Sequence, residues 1–504
     1  MTDNRIRKLV IVGGGTAGWM TAALFAKLFR DTLSITLIES EAIGTVGVGE
    51  ATIPPIQTYN QALGFDENDF IRQTQGTIKL GIEFQNWSRL GDRYMHAFGG
   101  IGHHHGLSPF VHYFLRARAA GSKDSLWDYS LNWLASNAGK FDRIDRIEGT
   151  PLAGLNYAFH FDASLYAKFL RAYAEQAGVV RHEGKIIDVT LRGSDGFIES
   201  VTLEGGAKVG GELFIDCSGF RGLLIGDTLQ VPYIDWTHWL PCDRAIAVQS
   251  ENVGEPRPYT QSIAHQAGWQ WRIPLQHRTG NGHVFSSRHM SEDEATSILL
   301  GNLEGQPITD PRTLRFTIGR RERFWERNCI AVGLSSGFLE PLESTSIHLI
   351  QSSIVKLATL FPDLSFEPAY VDEYNRQVID EIEGIRDFII LHYHANQRTD
   401  SAFWRSCAEM SVPDSLVRRI SLFRETGRIF REQNELFHEV GWLQVMMGQN
   451  IIPQRYDHMA DALPDSDLNE FLANLKTIMT GVVSRLPSHA EFIARNCIAQ
   501  PVAA

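Results

Sequence analysis

The chain has 504 residues, 43% of them hydrophobic and 21% charged, which supplies a large core and excludes a disulfide-held minidomain, a coiled coil or a disordered tail. Forty-seven Lys and Arg against 59 Asp and Glu leave a formal charge of −12, so bulk electrostatics argue against general binding to nucleic acid or to an anionic membrane. Five scattered cysteines without a C-x-x-C pair argue against a disulfide framework or a zinc knuckle and fit a reducing cytoplasm. The polar opening runs straight into a strand-like segment, and Lys27 interrupts the apolar run that follows, so neither a signal peptide nor a membrane span is expected.

The first fifty residues read as one βαβ unit: a buried strand at 9–12, a glycine turn at 13–18, an amphipathic helix at 19–29 and a second, parallel strand at 34–38. Residues 185–201 alternate as strands. Further strands are expected at 212–216, ahead of the turn Cys217-Ser218-Gly219, and at 329–332, ahead of Gly333. From about Pro341 the periodicity is helical, punctuated by Pro362, Pro413, Pro453, Pro464 and Pro487. The strands near residues 10, 35, 215 and 330 are expected to share one sheet. The fold class is therefore α/β: a doubly wound sheet domain with a second, mainly helical lobe. Residues 1–350 form the discontinuous sheet domain, interrupted at about 60–150 and 225–310, and 351–504 form the helical C-terminal lobe.

Gly13-Gly14-Gly15-Thr16-Ala17-Gly18 fits G-x-G-x-x-G between a strand and a helix. Gly13 permits the tight turn, Gly15 lets a pyrophosphate reach the backbone, and Gly18 allows close packing of helix on strand. The N–H groups of Thr16 and Ala17 open the helix towards phosphate. Glu39, at the end of the second strand, is placed to accept from a ribose hydroxyl.

Several longer runs carry a resemblance. Gly47-Val48-Gly49-Glu50-Ala51-Thr52-Ile53-Pro54, Asp216 with Ser218-Gly219-Phe220, Gly268-Trp269-Gln270-Trp271-Arg272-Ile273-Pro274, and Glu340-Pro341-Leu342-Glu343-Ser344-Thr345 together resemble the flavin-dependent tryptophan halogenase family. The W-x-W-x-I-P match is the specific one. The resemblance implies that the sheet domain is FAD-binding and glutathione-reductase-like, that the helical lobe is a substrate lobe, and that the protein is a two-component enzyme: a separate flavin reductase supplies FADH2, which reacts with O2 to a flavin hydroperoxide, and chloride or bromide attacks it to give hypohalous acid. That acid passes to a lysine beside an aromatic substrate. The matching lysine is Lys79, whose ammonium could polarise hypohalous acid or whose free amine could carry the halogen. Read without the resemblance, Lys79 is one exposed lysine among many.

The resemblance further implies that Glu343 is the second catalytic residue, taking the proton from the cationic ring intermediate and orienting the oxidant. Read from the residues alone, Glu343 is acidic capping at a helix start. Thr345 and Ser346 match the halide-binding positions, and Ser346 stands where tryptophan-specific members have glycine. Gly49, Ala51 and Leu334 match flavin-contacting positions. Trp269 and Trp271, two apart on an extended segment, match the pair between flavin and substrate, or are core aromatics. His96 and Phe98 match the ring-sandwiching pair, or are core residues. His103-His104-His105 reads as a glycine-bounded loop rather than a metal site, and no metal is expected.

One departure bears on substrate. Tryptophan-specific members hold the amino-acid part with two tyrosines and a glutamate ahead of the stretch that reads Trp442-Leu443-Gln444-Val445 here, and no tyrosine lies between Tyr393 and Tyr456. The expectation is a halogenase of indole-like or other electron-rich aromatics, with an FAD-dependent aromatic monooxygenase as the alternative.

Overall fold

The computed structural model describes residues 4–42 and 49–500 and divides into two compact units. Gly47 and Val48, part of the first run quoted above, lie outside the described residues.

Unit 1 comprises Met1–Gln75, Phe161–His238 and Arg315–Glu383. Its sheet runs Trp325–Glu326, Cys329–Ala331, Leu213–Asp216, Lys8–Val12, Ser34–Glu39, Val180–Glu183. Every neighbour pair is parallel except the first. The four expected strands therefore sit side by side. Their sequences are apolar without alternation because both faces are covered. Leu37, on one face, lies under helix Thr16–Phe29, while Val10, Val12, Ile38 and Phe214 pack on the other against Ile198, Val201 and Leu203 of an antiparallel three-stranded sheet.

Unit 2 comprises Gly76–His160, Trp239–Leu314 and Gly384–Ala504. Helices pack around a seven-stranded sheet in the order Arg312–Arg315, Arg244–Ser250, Thr279–Phe285, Gly268–Pro274, Thr260–His265, Gly81–Gln85, Arg93–Ala97. Register carries across it: Trp271 lies opposite Ser262, Ser262 beside Phe84, Phe84 opposite Tyr94, and Ile82 opposite His96. Since partners in register point to the same side, Trp269, Trp271, Tyr94 and His96 share one face. The opposite face carries a polar row in which Arg272 bonds to Gln261 and Glu304, Gln261 to Glu83, and Glu83 to Arg93.

The division differs from the expected one. The insertions span 76–160 and 239–314, and residues 351–383 belong with the nucleotide-type sheet. Helix Ser346–Thr359 packs on Thr16–Phe29, and Asn375 accepts from the N–H groups of Phe324 and Trp325, so long-range packing assigns this stretch where composition could not. The boundary falls within one helix, Pro368–His394. From Ser346 to Asn496 every regular element among the described residues is helical.

Candidate active site

In unit 1 the turn Gly13–Gly18, Glu39 and Leu334 lie at the carboxyl ends of the parallel strands, where open α/β sheets bind ligands. Gly13 has φ +113°, and a Cβ there would stand 2.1 Å from the carbonyl oxygen of Cys217. A Cβ on Gly18 would lie 1.8 Å from the carbonyl oxygen of Gly13, so this glycine seats the helix on the sheet. Gly15 behaves differently. The space where its Cβ would stand is open to 4 Å, and the helix begins at the next residue, Thr16. This is a cradle with helix N–H groups at its base, and it fits the diphosphate of a dinucleotide.

Glu39 is anchored as well as acidic. Arg181 Nε donates to its Oε1, Arg171 lies 3.5 Å from the same oxygen, and Oε2 stands beside Gly14. Asp216 is a residue whose role the motif did not disclose. Fully buried at the end of Leu213–Asp216, it accepts from Ser218 N–H and Oγ–H and from the N–H groups of Leu224 and Ile225. Four charge-assisted bonds fix the turn after the strand. Its backbone carbonyl accepts from Ser335 Oγ–H, tying in the turn Gly333–Ser335 that carries half-buried Leu334. Gly333 stands against Ala17 and Ile350, so this turn meets the starts of two helices. Gly49 and Ala51 are buried in the short strand Gly49–Ala51.

Glu343 ends the turn Pro341–Glu343 and is 1% exposed. Glu343 lies ahead of the helix Ser346–Thr359, whose N-cap is Thr345, and the Thr345 side chain makes no capping bond. Ser344 holds φ 58°, an uncommon conformation for a non-glycine residue, and it reverses the chain between Glu343 and Thr345. Thr345 is buried and Ser346 half-buried at the helix start, where N–H groups have no partner within the helix. Two residues on, His348 Nε2–H donates to Glu381 at 2.8 Å, and Ser352 and Lys356 hold the other carboxylate oxygen. Burial pushes the Glu381 carboxyl up, but His348 and Lys356 outweigh it and hold the group at about 2.

In unit 2, Lys79 ends the strand Thr77–Lys79 and is fully buried, so the reading as an exposed lysine fails. Its Nζ lies 5.1 Å from the centroid of the half-buried Phe98 ring, a cation–π distance. Two histidines hold the lysine strand. Thr77 donates its hydroxyl hydrogen to the carbonyl oxygen of Pro274 and therefore accepts from His160 Nδ1–H, leaving His160 Nε2 to accept from Thr260. Ile78 N–H donates to His489 Nε2, and His489 Nδ1–H donates to the carbonyl oxygen of Pro256. Both rings are kept neutral: burial, then Lys79 and His489, pushes His160 well below the ordinary histidine value, and burial lowers His489 to about 4.

His96, 6% exposed, packs against Phe388 and Phe437, with ring centroids at 5.4 and 5.8 Å. Trp269 and Trp271 meet at 6.2 Å; Trp269 also packs against Trp87, and the Trp271 ring occupies the space where Gly282, opposite it, would carry a Cβ. Ahead of Trp442, Glu435 is tied to Arg419, whose guanidinium lies 4.0 Å over the Trp442 ring. In the triple-histidine loop, His104 Nδ1 accepts from Phe110 N–H and His105 stands edge-on to Tyr113. No helix among the described residues is long and apolar enough to cross a membrane.

Comparison with known proteins identifies the family. The tryptophan halogenase family profile matches residues 8–465. A flavin-dependent halogenase from Xanthomonas campestris is 49% identical and superposes with a TM-score of 0.96 over 99% of this chain and 100% of its own. One from Brevundimonas sp. BAL3 is 48% identical, with a TM-score of 0.95 over 98% and 99%. Tryptophan 7-halogenase from Lentzea aerocolonigenes is 34% identical across 98% of this chain and 99% of its own. With a glycine cradle on a parallel sheet in one unit and a buried lysine beside an aromatic ring in the other, the chain belongs to the tryptophan halogenase family and is a flavin-dependent halogenase.

Proposed function

We propose that the enzyme halogenates bare indoles or similar electron-rich aromatics, with Lys79 as the residue that delivers the halogen and chloride or bromide as co-substrate. The burial of Lys79 beside Phe98 is the observation that carries this reading. An amine sealed from bulk water holds an electrophilic halogen where solvent does not quench it, and a neighbouring aromatic face suits a flat ring.

The Gly13–Gly18 turn, Glu39, Gly49, Ala51 and Leu334 would hold FAD, supplied in reduced form by a separate reductase. When bound, reduced flavin with O2 supplies the oxidising equivalent that converts halide to hypohalous acid. The N–H groups at Thr345 and Ser346 hold the halide at the helix start. Glu343 accepts the proton that the ring loses on substitution. His96 and Phe98 contact the substrate ring, and Trp269 and Trp271 keep organic substrate off the flavin. The five free cysteines fit work in the cytoplasm.

Incubation with FAD, a flavin reductase, bromide and indole, read by mass spectrometry, tests this reading. Bromoindole is expected from the wild type, and Lys79→Ala should yield none while still consuming FADH2. An oxygenated product in place of bromoindole would indicate a monooxygenase, and bromoindole from the alanine variant would remove Lys79 from the mechanism.

A further inference from the structure

The strand Arg93–Ala97 is the last of the seven-stranded sheet and carries His96, with Phe98 directly after it. Phe98 N–H donates to the carbonyl oxygen of Leu80, towards the neighbouring strand. Alternation along a strand therefore turns the N–H and C=O of Ala97 outward, to an edge with no further strand among the described residues. Buried there without partners, both groups would be costly.

One side chain takes both. Gln444 Oε1 accepts from Ala97 N–H at 3.0 Å, and its Nε2 donates to the carbonyl oxygen of Ala97 at 3.0 Å. Gln444 is fully buried and reaches across 347 residues of sequence from the helix Glu439–Gly448. One turn earlier on the same helix face, a Cβ on Gly441 would stand 3.0 Å from His96 Nε2. The helix thus touches Ala97 through an amide and lies against His96 through a glycine.

We propose that Gln444 is a positioning residue for the aromatic substrate: its amide acts as a substitute strand at the sheet edge, and with Gly441 it sets the line of His96 and Phe98. Only an amide of this length supplies donor and acceptor together to one residue's N–H and C=O. The proposal rests on the reading of His96 and Phe98 as ring contacts, and its test separates the two.

Indole binding to the whole protein is measured by calorimetry in Gln444→Met, Gly441→Ala, Phe98→Ala and His96→Ala, with Tm recorded for each. Gln444→Met keeps volume and loses both bonds, so Kd for indole should rise about tenfold, the size expected for one lost positioning contact. Gly441→Ala should raise Kd severalfold by pressing on His96, and it carries the test should the methionine variant not fold. Kd within about twofold of wild type in every Gln444 or Gly441 variant that folds, with Phe98→Ala or His96→Ala impaired, overturns the positioning role alone. Unchanged Kd in the His96 and Phe98 variants as well overturns the ring-contact reading and the inference with it.

Discussion

A single missing methyl group has opposite consequences at two glycines three positions apart in sequence. Gly18 has no room, since its Cβ would meet the carbonyl oxygen of Gly13, whereas Gly15 has open space and an ordinary φ of −75°. Gly18→Ala should therefore lower stability by about 1–3 kcal/mol as helix Thr16–Phe29 is pushed off the sheet, visible as a lower Tm. Gly15→Val should keep its Tm and lose flavin affinity, because the new side chain fills the cradle. A fluorescence titration with unchanged flavin affinity would put the cofactor elsewhere. Glu343 differs in kind: glutamine keeps its shape and most of its bonding capacity ahead of the N-cap Thr345, so Glu343→Gln should leave Tm nearly unchanged while slowing arene halogenation by about 10²–10⁴-fold. A variant that melts early but turns over normally per folded molecule would make Glu343 structural.

The strand Thr77–Lys79 depends on groups far away in sequence. His489 accepts from Ile78 N–H only while its ring is neutral, and burial depresses its pKa from the ordinary 6.5 to about 4. Between those values the unfolded chain binds a proton that the folded chain refuses, so folding stability falls as pH drops from 6.5 to 4, by roughly 3 kcal/mol for this residue. His489→Gln retains an acceptor that does not titrate in this range. The gap in Tm between wild type and variant should therefore shift in favour of the variant between pH 7.5 and pH 5, and a gap independent of pH would show that His489 is not buried neutral. Glu381 acts at lower pH and with the opposite charge. Held at about 2 against an ordinary 4.5, its carboxylate adds stability that is complete above 4.5 and is lost as pH falls towards 2. Glu381→Ala would leave His348 and Lys356 without their shared partner near the start of helix Ser346–Thr359, and should cost about 3–5 kcal/mol.

For the whole molecule, substrate choice follows from what surrounds His96 and Phe98, the proposed ring contacts. Free tryptophan brings an ammonium and a carboxylate that need partners when buried. The segment ahead of Trp442 has no tyrosine, and its Glu435 carboxylate is engaged by Arg419. Indole should accordingly be halogenated faster than tryptophan at equal concentration, mainly at electron-rich C3, since intrinsic reactivity decides where orientation is loose. Chromatography of the competition decides the point. Preference for tryptophan with one benzo-ring product would reveal an amino-acid clamp built from other residues.

Local chemistry made much of this protein legible from its residues. Buried parallel strands announce themselves as unbroken apolar runs, so the strands at Lys8–Val12, Ser34–Glu39, Leu213–Asp216 and Cys329–Ala331 and the glycine turn between the first strand and its helix could be read in sequence. The family runs likewise pointed to Lys79 and Glu343. Burial and partnership were not legible, because both come from segments distant in the chain. That Lys79 is sealed from water, that Ile78 is held by His489 across 411 residues, and that residues 351–383 join the sheet unit are set by packing. Gln444 shows why: nothing local to Trp442-Leu443-Gln444-Val445 distinguishes it, and its meaning lies in an open strand edge that exists only once the sheet has formed.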